Sequence, residues 1–173
     1  MERALDMCAH FSSTTSDIDA CSAGVFMEYN FNSIEDPESN YVRKLDGNGL
    51  DWPCGAVPEP FRKDCYFEQP RWWESLYKSD YIKVGNLCEE VKDEVLRKVC
   101  FFGVGGSHLP DVDWTIDACA HMPNREALLL CRAGAAWRFS IEPLPAVHDA
   151  YPLVCKGLTQ EETKHCLAAG LLQ

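Results

Sequence analysis

Ten cysteines fall into five pairs of similar spacing, and this pattern limits what the chain can fold into more than any other feature. The two members of a pair enclose ten to twelve residues, and successive pairs begin 31 to 46 residues apart. A period of this length is typical of repeat proteins. It predicts one domain over residues 1–173 with about five cysteine-paired units. The pairs are Cys8/Cys21, Cys54/Cys65, Cys88/Cys100, Cys119/Cys131 and Cys155/Cys166.

An even number of cysteines at regular spacing indicates disulfides made in an oxidising compartment. Metal thiolates and free thiols are the alternatives. The sequence contains no Cys-x-x-Cys, the usual spacing of structural zinc ligands. We therefore expect a disulfide within each pair, no metal or other cofactor, and a secreted or periplasmic location.

The residues around the cysteines predict helices. In four of the five units, small residues follow the second cysteine by three or four positions, which is one helical turn. Small residues there let a neighbouring helix approach closely. Thr159 and Glu162 form a capping-box pattern that starts a helix. The sequence thus predicts an all-α fold of antiparallel helical hairpins, each stapled by one disulfide and stacked as a short α-solenoid.

Three segments interrupt the repeat pattern. Residues 33–53 read as an insertion, with a short helix around Glu38–Leu45 and a tight turn over 46–49. Irregular structure is also expected over 103–110 and over 142–145. None of these segments is long enough to divide the chain into independent domains.

Composition excludes some partners. The formal net charge of −11 opposes binding to the phosphates of nucleic acids. No apolar run approaches the roughly 20 residues that a membrane-spanning helix needs. The chain also opens directly on a helical pattern, which predicts either a mature form or a segment of a longer repeat protein.

The paired cysteines and their following residues carry a family resemblance. The predicted architecture resembles the cysteine-rich members of the Sel1-like and tetratricopeptide-like α-solenoids. The strings that begin at Cys21 and Cys65 are similar to those of uncharacterised bacterial cysteine-rich repeat proteins, whose repeats often read Cys-x-His-Gly-x-Gly-His. The third unit reads Cys-Phe-Phe-Gly-Val-Gly-Gly over 100–106, with Phe102 and Gly106 at the two histidine positions. The resemblance implies a stacked helical fold and names no activity.

Aromatic residues are the first candidates for a binding surface. Exposed aromatic clusters are frequent centres of binding energy. Adjacent tryptophans on a helix point about 100° apart, so we expect Trp72 and Trp73 not to be buried together in one core. The candidate binding residues are Trp72, Trp73, Tyr77 and Trp137.

A second group could supply acid–base or metal chemistry. Glu28 and Glu68 stand among apolar and aromatic residues, where a carboxylate is out of pattern, and His108 could join them. The alternative is that each glutamate caps a helix or pairs with an arginine such as Arg43 or Arg71. The histidines lack the spacing of known metal motifs.

Three functions follow from these patterns. The favoured one is a protein- or peptide-binding module on the concave face of the solenoid. The second is an enzyme or metal-binding protein that uses Glu28, Glu68 and His108, which requires the three to meet in one pocket. The third is a structural segment of a larger repeat protein. No nucleophile motif or phosphate-binding loop supports the enzyme hypothesis.

Overall fold

The structure is a computed structural model that describes residues 1–11, 15–35, 43, 49–106, 111–141 and 149–169. These residues form helices and turns, with no strand among them, so the all-α class is confirmed for this part of the chain. Two short 3₁₀ helices are present at Glu59–Phe61 and Tyr151–Cys155. The α-helices are α1 (Glu2–Phe11), α2 (Thr15–Glu35), α3 (Arg62–Tyr77), α4 (Tyr81–Glu89), α5 (Glu94–Gly106), α6 (Val112–Ala120), α7 (Arg125–Ile141) and α8 (Gln160–Ala169).

Side chains cap the first turns of several helices. Asp80 accepts a hydrogen bond from the backbone amide of Lys83 at the start of α4. Asp111 does the same for Trp114 at the start of α6. These bonds satisfy amide donors that have no partner within the helix. The local sequence therefore fixes where these helices begin.

The predicted capping box at the start of α8 is confirmed. The amide and the hydroxyl of Thr159 both donate to the carboxylate of Glu162, each at 2.9 Å. The amide of Glu162 in turn donates to the Thr159 hydroxyl oxygen at 3.4 Å. This reciprocal pattern satisfies two amides at the helix start.

All five predicted cysteine pairs form disulfides, and no cysteine of the chain is left as a free thiol. In each pair, the second cysteine lies within the first two turns of a helix, as the sequence predicts. The bonds and the helices that carry their second cysteines are Cys8–Cys21 (α2), Cys54–Cys65 (α3), Cys88–Cys100 (α5), Cys119–Cys131 (α7) and Cys155–Cys166 (α8).

The prediction that each disulfide staples a hairpin of two α-helices is wrong for the second and fifth pairs. Cys54, the partner of Cys65, lies in a turn that packs beside α3. Cys155, the partner of Cys166, ends a 3₁₀ helix of five residues. This 3₁₀ helix begins Tyr-Pro. Because proline is not tolerated in a helix interior, the helix cannot extend further towards the N-terminus, and it stays short before the turn to α8. Cys166 therefore joins α8 to a 3₁₀ helix, whereas Cys8, Cys88 and Cys119 each lie in an α-helix.

The helices that carry the second cysteines pack against one another in chain order. Helix α2 contacts α3, α3 contacts α5, α5 contacts α7, and α7 contacts α8. The remaining helices pack onto this row: α1 on α2, α4 on α3 and α5, and α6 on α5 and α7. The buried apolar side chains form three clusters along this row, which together contain nine of the cysteines.

Glycine allows the closest of these helix contacts. A β-carbon on Gly103 of α5 would overlap the backbone carbonyl of Phe67 in α3. The predicted role of small residues three positions after the second cysteine is thus confirmed at Gly103, and also at Gly134 in α7, which meets the carbonyl of Phe102. It does not hold at Gly24, where no atom of the described residues lies within 4 Å of an added β-carbon.

Two of the predicted interruptions differ from the structure. Helix α2 continues to Glu35, so the insertion begins later than residue 33. Residues 103–106, expected to be irregular, form the last turn of α5. The glycines of this turn are part of the helix, where they permit close packing against the neighbouring helices. The predicted helix over 38–45 lies outside the described residues apart from Arg43. The predicted turn over 46–49 also lies outside the described residues, apart from Gly49. Residues 107–110 and 142–145 lie outside them as well.

Candidate functional site

A cleft of about 670 Å³ opens on the surface of this protein. It lies between the turn that follows Gly49, helix α3 and the junction of α4 with α5. Its volume is in the range of ligand-binding pockets, roughly 300–1,000 Å³. The cleft is lined by Leu50, Asp51, Cys54, Gly55, Arg62, Tyr66, Trp73, Leu87, Glu90, Val91, Lys92, Asp93 and Leu96.

One wall of the cleft is the turn around Leu50, and α3 holds it in position. The indole nitrogen of Trp73 and the side-chain amide of Gln69 both donate to the carbonyl of Leu50, each at 2.9 Å. The Cys54–Cys65 disulfide ties the same turn covalently to α3. These constraints come from buried side chains, so the wall is fixed before any ligand arrives.

Asp51 projects from this wall, and Tyr66 orients it. The Tyr66 hydroxyl donates to the Asp51 carboxylate at 2.6 Å. Burial, together with this hydrogen bond, raises the pKa of Tyr66 above its ordinary value, so the phenol stays protonated and remains a donor. A side chain at Gly55 would overlap the second carboxylate oxygen of Asp51. Glycine at position 55 therefore makes room for the carboxylate.

The opposite wall is the junction of α4 with α5. Hydrogen bonds and a disulfide also hold this junction in position. Asp93 caps α5 by accepting bonds from the amides of Val95 and Leu96, at 2.9 and 3.0 Å. Arg97 donates to the carbonyl of Val91 at 3.1 Å. The Cys88–Cys100 disulfide joins the two helices. Both walls are therefore braced by a disulfide and by side-chain hydrogen bonds.

The cleft combines an apolar floor with charges of both signs. The floor includes Trp73, which is fully buried, and the half-buried Leu87 and Leu96. The lining also includes acidic and basic residues. The acidic residues are Asp51, Glu90 and Asp93, and the basic ones are Arg62 and Lys92.

A buried arginine stands behind the cleft. Arg43 is only 5% exposed, and its guanidinium carbon lies 3.6 Å from the centre of the Trp72 ring. It donates to the side-chain oxygens of Asn30 and Gln69, at 3.0 and 2.8 Å. Burial lowers the pKa of Arg43 to about 9. Gln69 thus links the Arg43 cluster to the wall of the cleft, since its amide also holds Leu50.

A smaller cavity of about 420 Å³ lies between α7 and α8. Its lining is mostly apolar, with Leu129, Leu130 and Ala133 from α7, and it includes Cys166 of α8. Cys166 is only 2% exposed and is bonded to Cys155, so it has a structural role and offers no free thiol to a ligand.

The predicted aromatic surface is only partly exposed. Trp72 and Trp73 are 6% and 1% exposed and belong to the same core, so the expectation that they would not be buried together is wrong. Tyr77 is half-buried, with the Lys83 ammonium 5.2 Å from its ring centre. Trp137 is also half-buried.

Trp137 belongs to an aromatic cluster formed by three successive packed helices. Its ring centre lies 5.4 Å from that of Phe67 in α3, in an edge-to-face arrangement. Phe102 of α5 lies 6.0 Å from Trp137 and 6.1 Å from Phe67. Phe102 contributes apolar packing to this cluster.

The predicted acidic residues have different environments. Glu68 is 8% exposed, and burial raises the pKa of its carboxyl to about 7, against the opposing effect of Arg71 and Arg138. Glu28 is exposed, and it is not among the charges that shift the pKa of Glu68. His108 lies outside the described residues. Within the described ranges, no group of three histidine, cysteine, aspartate or glutamate side chains is arranged to bind a metal ion.

Sequence reasoning missed most of the cleft. Asp51 lies inside the predicted insertion, and no sequence pattern marks Arg62 or Lys92. One usable signal is Gln69, an amide inside a helix rich in aromatic residues. A buried amide must find hydrogen-bond partners, and those partners define the wall of the cleft.

Comparison of the chain with protein-family models, with curated proteins and with solved structures gives no match. Among the helices of the described residues, none combines the length and the apolar character that crossing a bilayer requires. The functional interpretation therefore rests on the geometry of the cleft.

Proposed function

We propose that this protein is a disulfide-stabilised α-solenoid of an oxidising compartment that binds a peptide segment of a partner protein in the cleft between Leu50 and Leu96. The observation that carries the proposal is the cleft itself, about 670 Å³ in volume, with both walls fixed by disulfides and side-chain hydrogen bonds. A site that is rigid before binding loses less conformational entropy when its ligand arrives.

The lining favours a peptide over other ligands. The apolar floor, which includes Trp73, Leu87 and Leu96, suits an aliphatic or aromatic side chain of the ligand. Charges of both signs around it suit the mixed side chains and backbone dipoles of a peptide. A purely apolar pocket would favour a lipid, and a purely basic one would favour a phosphate.

The repeat architecture supports the same function. Successive packing of α2, α3, α5, α7 and α8 is the arrangement expected of a short solenoid, in which each unit contacts its neighbours. Solenoids commonly present extended surfaces to proteins, and the resemblance to Sel1-like and tetratricopeptide-like proteins agrees with this. Five disulfides support a secreted or periplasmic location, where such bonds persist.

One observation favours the enzyme hypothesis as a second candidate. Glu68 has a pKa of about 7, which suits a general acid or base near neutral pH. It has Arg71 and Arg138 as charged neighbours, and it does not line the cleft. This hypothesis predicts that Glu68→Gln abolishes a catalysed reaction while leaving peptide binding intact.

A peptide-display selection tests the proposed function. The oxidised protein would be used to select peptides from a random library, and affinities for the selected peptides would be measured by calorimetry. We expect Lys92→Glu and Leu96→Arg to weaken binding by about tenfold or more, which is about 1.4 kcal/mol. Lys156→Glu makes the same charge change at an exposed position outside the cleft lining and serves as the matched control. Equal affinity for all variants, or a selection that yields no peptide, would count against the cleft.

A further inference from the structure

The ten cysteines differ in their access to solvent. Nine are buried, with between 0% and 2% of their surface exposed. Cys21 in α2 is the exception and is exposed. Its disulfide partner, Cys8 in α1, is 1% exposed. One end of this disulfide therefore lies at the surface, while both ends of the other four lie in the core.

We propose that the Cys8–Cys21 disulfide is a thiol-exchange site, which a dithiol reduces before the other four bonds and whose opening releases α1 from α2. Thiol–disulfide exchange requires a thiolate to reach one sulfur of the bond, so the rate depends on access. Cys21 offers such access in the folded protein. Cys166 is the nearest competitor because it lines a cavity, but it is only 2% exposed. The four buried bonds become reachable through wider opening of the core.

The exchange proceeds in two balanced steps. The thiolate of the dithiol attacks the sulfur of Cys21, the bond to Cys8 breaks, and Cys8 leaves as a thiolate. The second thiol of the reductant, once deprotonated, attacks the mixed disulfide and releases Cys21 as a thiolate. The protein disulfide gains two electrons and two protons in total, and the dithiol becomes a disulfide.

Helix α1 buries few apolar side chains. Its ten residues are too few for a stable isolated helix, for which roughly 12–15 are needed. Within residues 2–10, Leu5 is the other fully buried apolar side chain, packed in the core that contains Phe26 and Phe61. A cavity of about 310 Å³ remains between α1 and the segment 52–61, so the packing there is incomplete. Loss of the disulfide therefore removes the covalent constraint on α1 and leaves its packing against α2 and the segment 52–61.

Differential alkylation tests the exchange site. The native protein would be treated with increasing dithiothreitol, alkylated with iodoacetamide and mapped by peptide mass spectrometry. We expect Cys8 and Cys21 to be labelled about tenfold faster than the other eight cysteines, because access controls the rate. Reduction of all five bonds at one rate, or of another pair such as Cys155–Cys166 first, would overturn the proposal. A Cys8→Ser/Cys21→Ser variant should lose the fast phase, while the Cys88–Cys100, Cys119–Cys131 and Cys155–Cys166 bonds, which lie outside the core that α1 packs against, keep their rates.

Hydrogen exchange tests the release of α1 separately. After selective reduction, we expect the amides of residues 2–11 to lose protection while those of α5 and α7 keep it. Retained protection in α1 would contradict its release even if the fast labelling is observed. The test does not involve the cleft, which no residue of α1 lines, so its outcome is independent of peptide binding.

Discussion

Gly134 of α7 lies directly against the backbone carbonyl of Phe102 in α5, in space that a β-carbon would fill. Gly105 of α5 makes the reciprocal contact with the carbonyl of Cys131 in α7. The two helices can approach this closely only because neither residue has a side chain. This pair of contacts sets the spacing at the centre of the helix row.

Replacing Gly134 by alanine should destabilise the protein. The new methyl group would meet a backbone oxygen, which cannot rotate away as a flexible side chain can. We expect a loss of about 2–3 kcal/mol in the free energy of unfolding, as overpacked cores show. Urea unfolding of the oxidised protein measures it.

Gly24→Ala is the matched control for this prediction. Gly24 lies three residues after Cys21, the same offset at which Gly134 follows Cys131, but no described atom lies within 4 Å of its added β-carbon. Alanine there should raise stability by about 0.5–1 kcal/mol through helix propensity. Equal stability of the two variants would show that α5 and α7 are not in close contact.

Arg43 should be required for stability although it is charged. It stacks on Trp72 and donates to Asn30 and Gln69, so its removal leaves buried acceptors without a donor. We expect Arg43→Lys to lose about 2 kcal/mol, because an ammonium cannot reproduce the planar stacking and the two bonds together. Thermal unfolding measures the loss. Arg3→Lys, at an exposed position of α1, should have no effect.

The cysteine spacing predicted all five disulfide pairs, and the residues around the cysteines predicted the helical class. Loops of 10–12 residues between paired cysteines leave room for a short turn and parts of two helices, and local pairing needs no knowledge of distant contacts. The spacing could not show that Cys54 and Cys155 lie outside α-helices, because a turn or a 3₁₀ helix places a cysteine beside its partner equally well. The glycine positions in α5 and α7 were readable, since glycine inside a helix needs a packing reason.

The cleft and the buried tryptophans could not be predicted in this way. Helix α3 contacts α2, α4 and α5, so it is covered on several sides and both Trp72 and Trp73 are buried despite pointing in different directions. An argument from one amphipathic face fails for such a helix. Asp51 and Lys92 line the same cleft only because two distant turns pack beside α3, which no local pattern encodes.

The disulfides should differ in their contribution to stability. Cys88–Cys100 and Cys8–Cys21 close loops of nearly equal length, with sequence separations of 12 and 13, so their chain-entropy terms should match at about 3 kcal/mol each. Replacing Cys88 and Cys100 by serine buries two hydroxyls at sites that are 0% exposed, whereas replacing Cys8 and Cys21 buries one, at position 8.

We therefore expect the Cys88→Ser/Cys100→Ser variant to be less stable than Cys8→Ser/Cys21→Ser by about 1–3 kcal/mol, because buried hydroxyls without partners are unfavourable. Guanidinium unfolding without reductant measures both. The opposite order would contradict the exposure of Cys21 and the burial of the central bond.

Glu68 should make the protein less stable as the pH rises towards neutrality. Its pKa is about 7 in the folded protein, against an ordinary value of 4.5, because burial disfavours the charged carboxylate. Between these pH values the folded state holds more protons than the unfolded chain, so the free energy of unfolding falls as pH increases. Asp64, whose pKa is raised to about 6 mainly by burial, acts in the same direction.

Glu68→Gln isolates this contribution, because the amide has a similar shape and does not ionise. We expect the stability of the variant relative to the original protein to increase between pH 4.5 and pH 7.5, by up to about 3 kcal/mol from the linkage of pKa to stability. Urea unfolding at several pH values measures the difference. Glu28→Gln, at an exposed position two turns before the end of α2, should leave the pH profile unchanged. A difference between Glu68→Gln and the original protein that stays constant with pH would show that folding does not raise the pKa of Glu68, and would remove the support for its role as an acid or base.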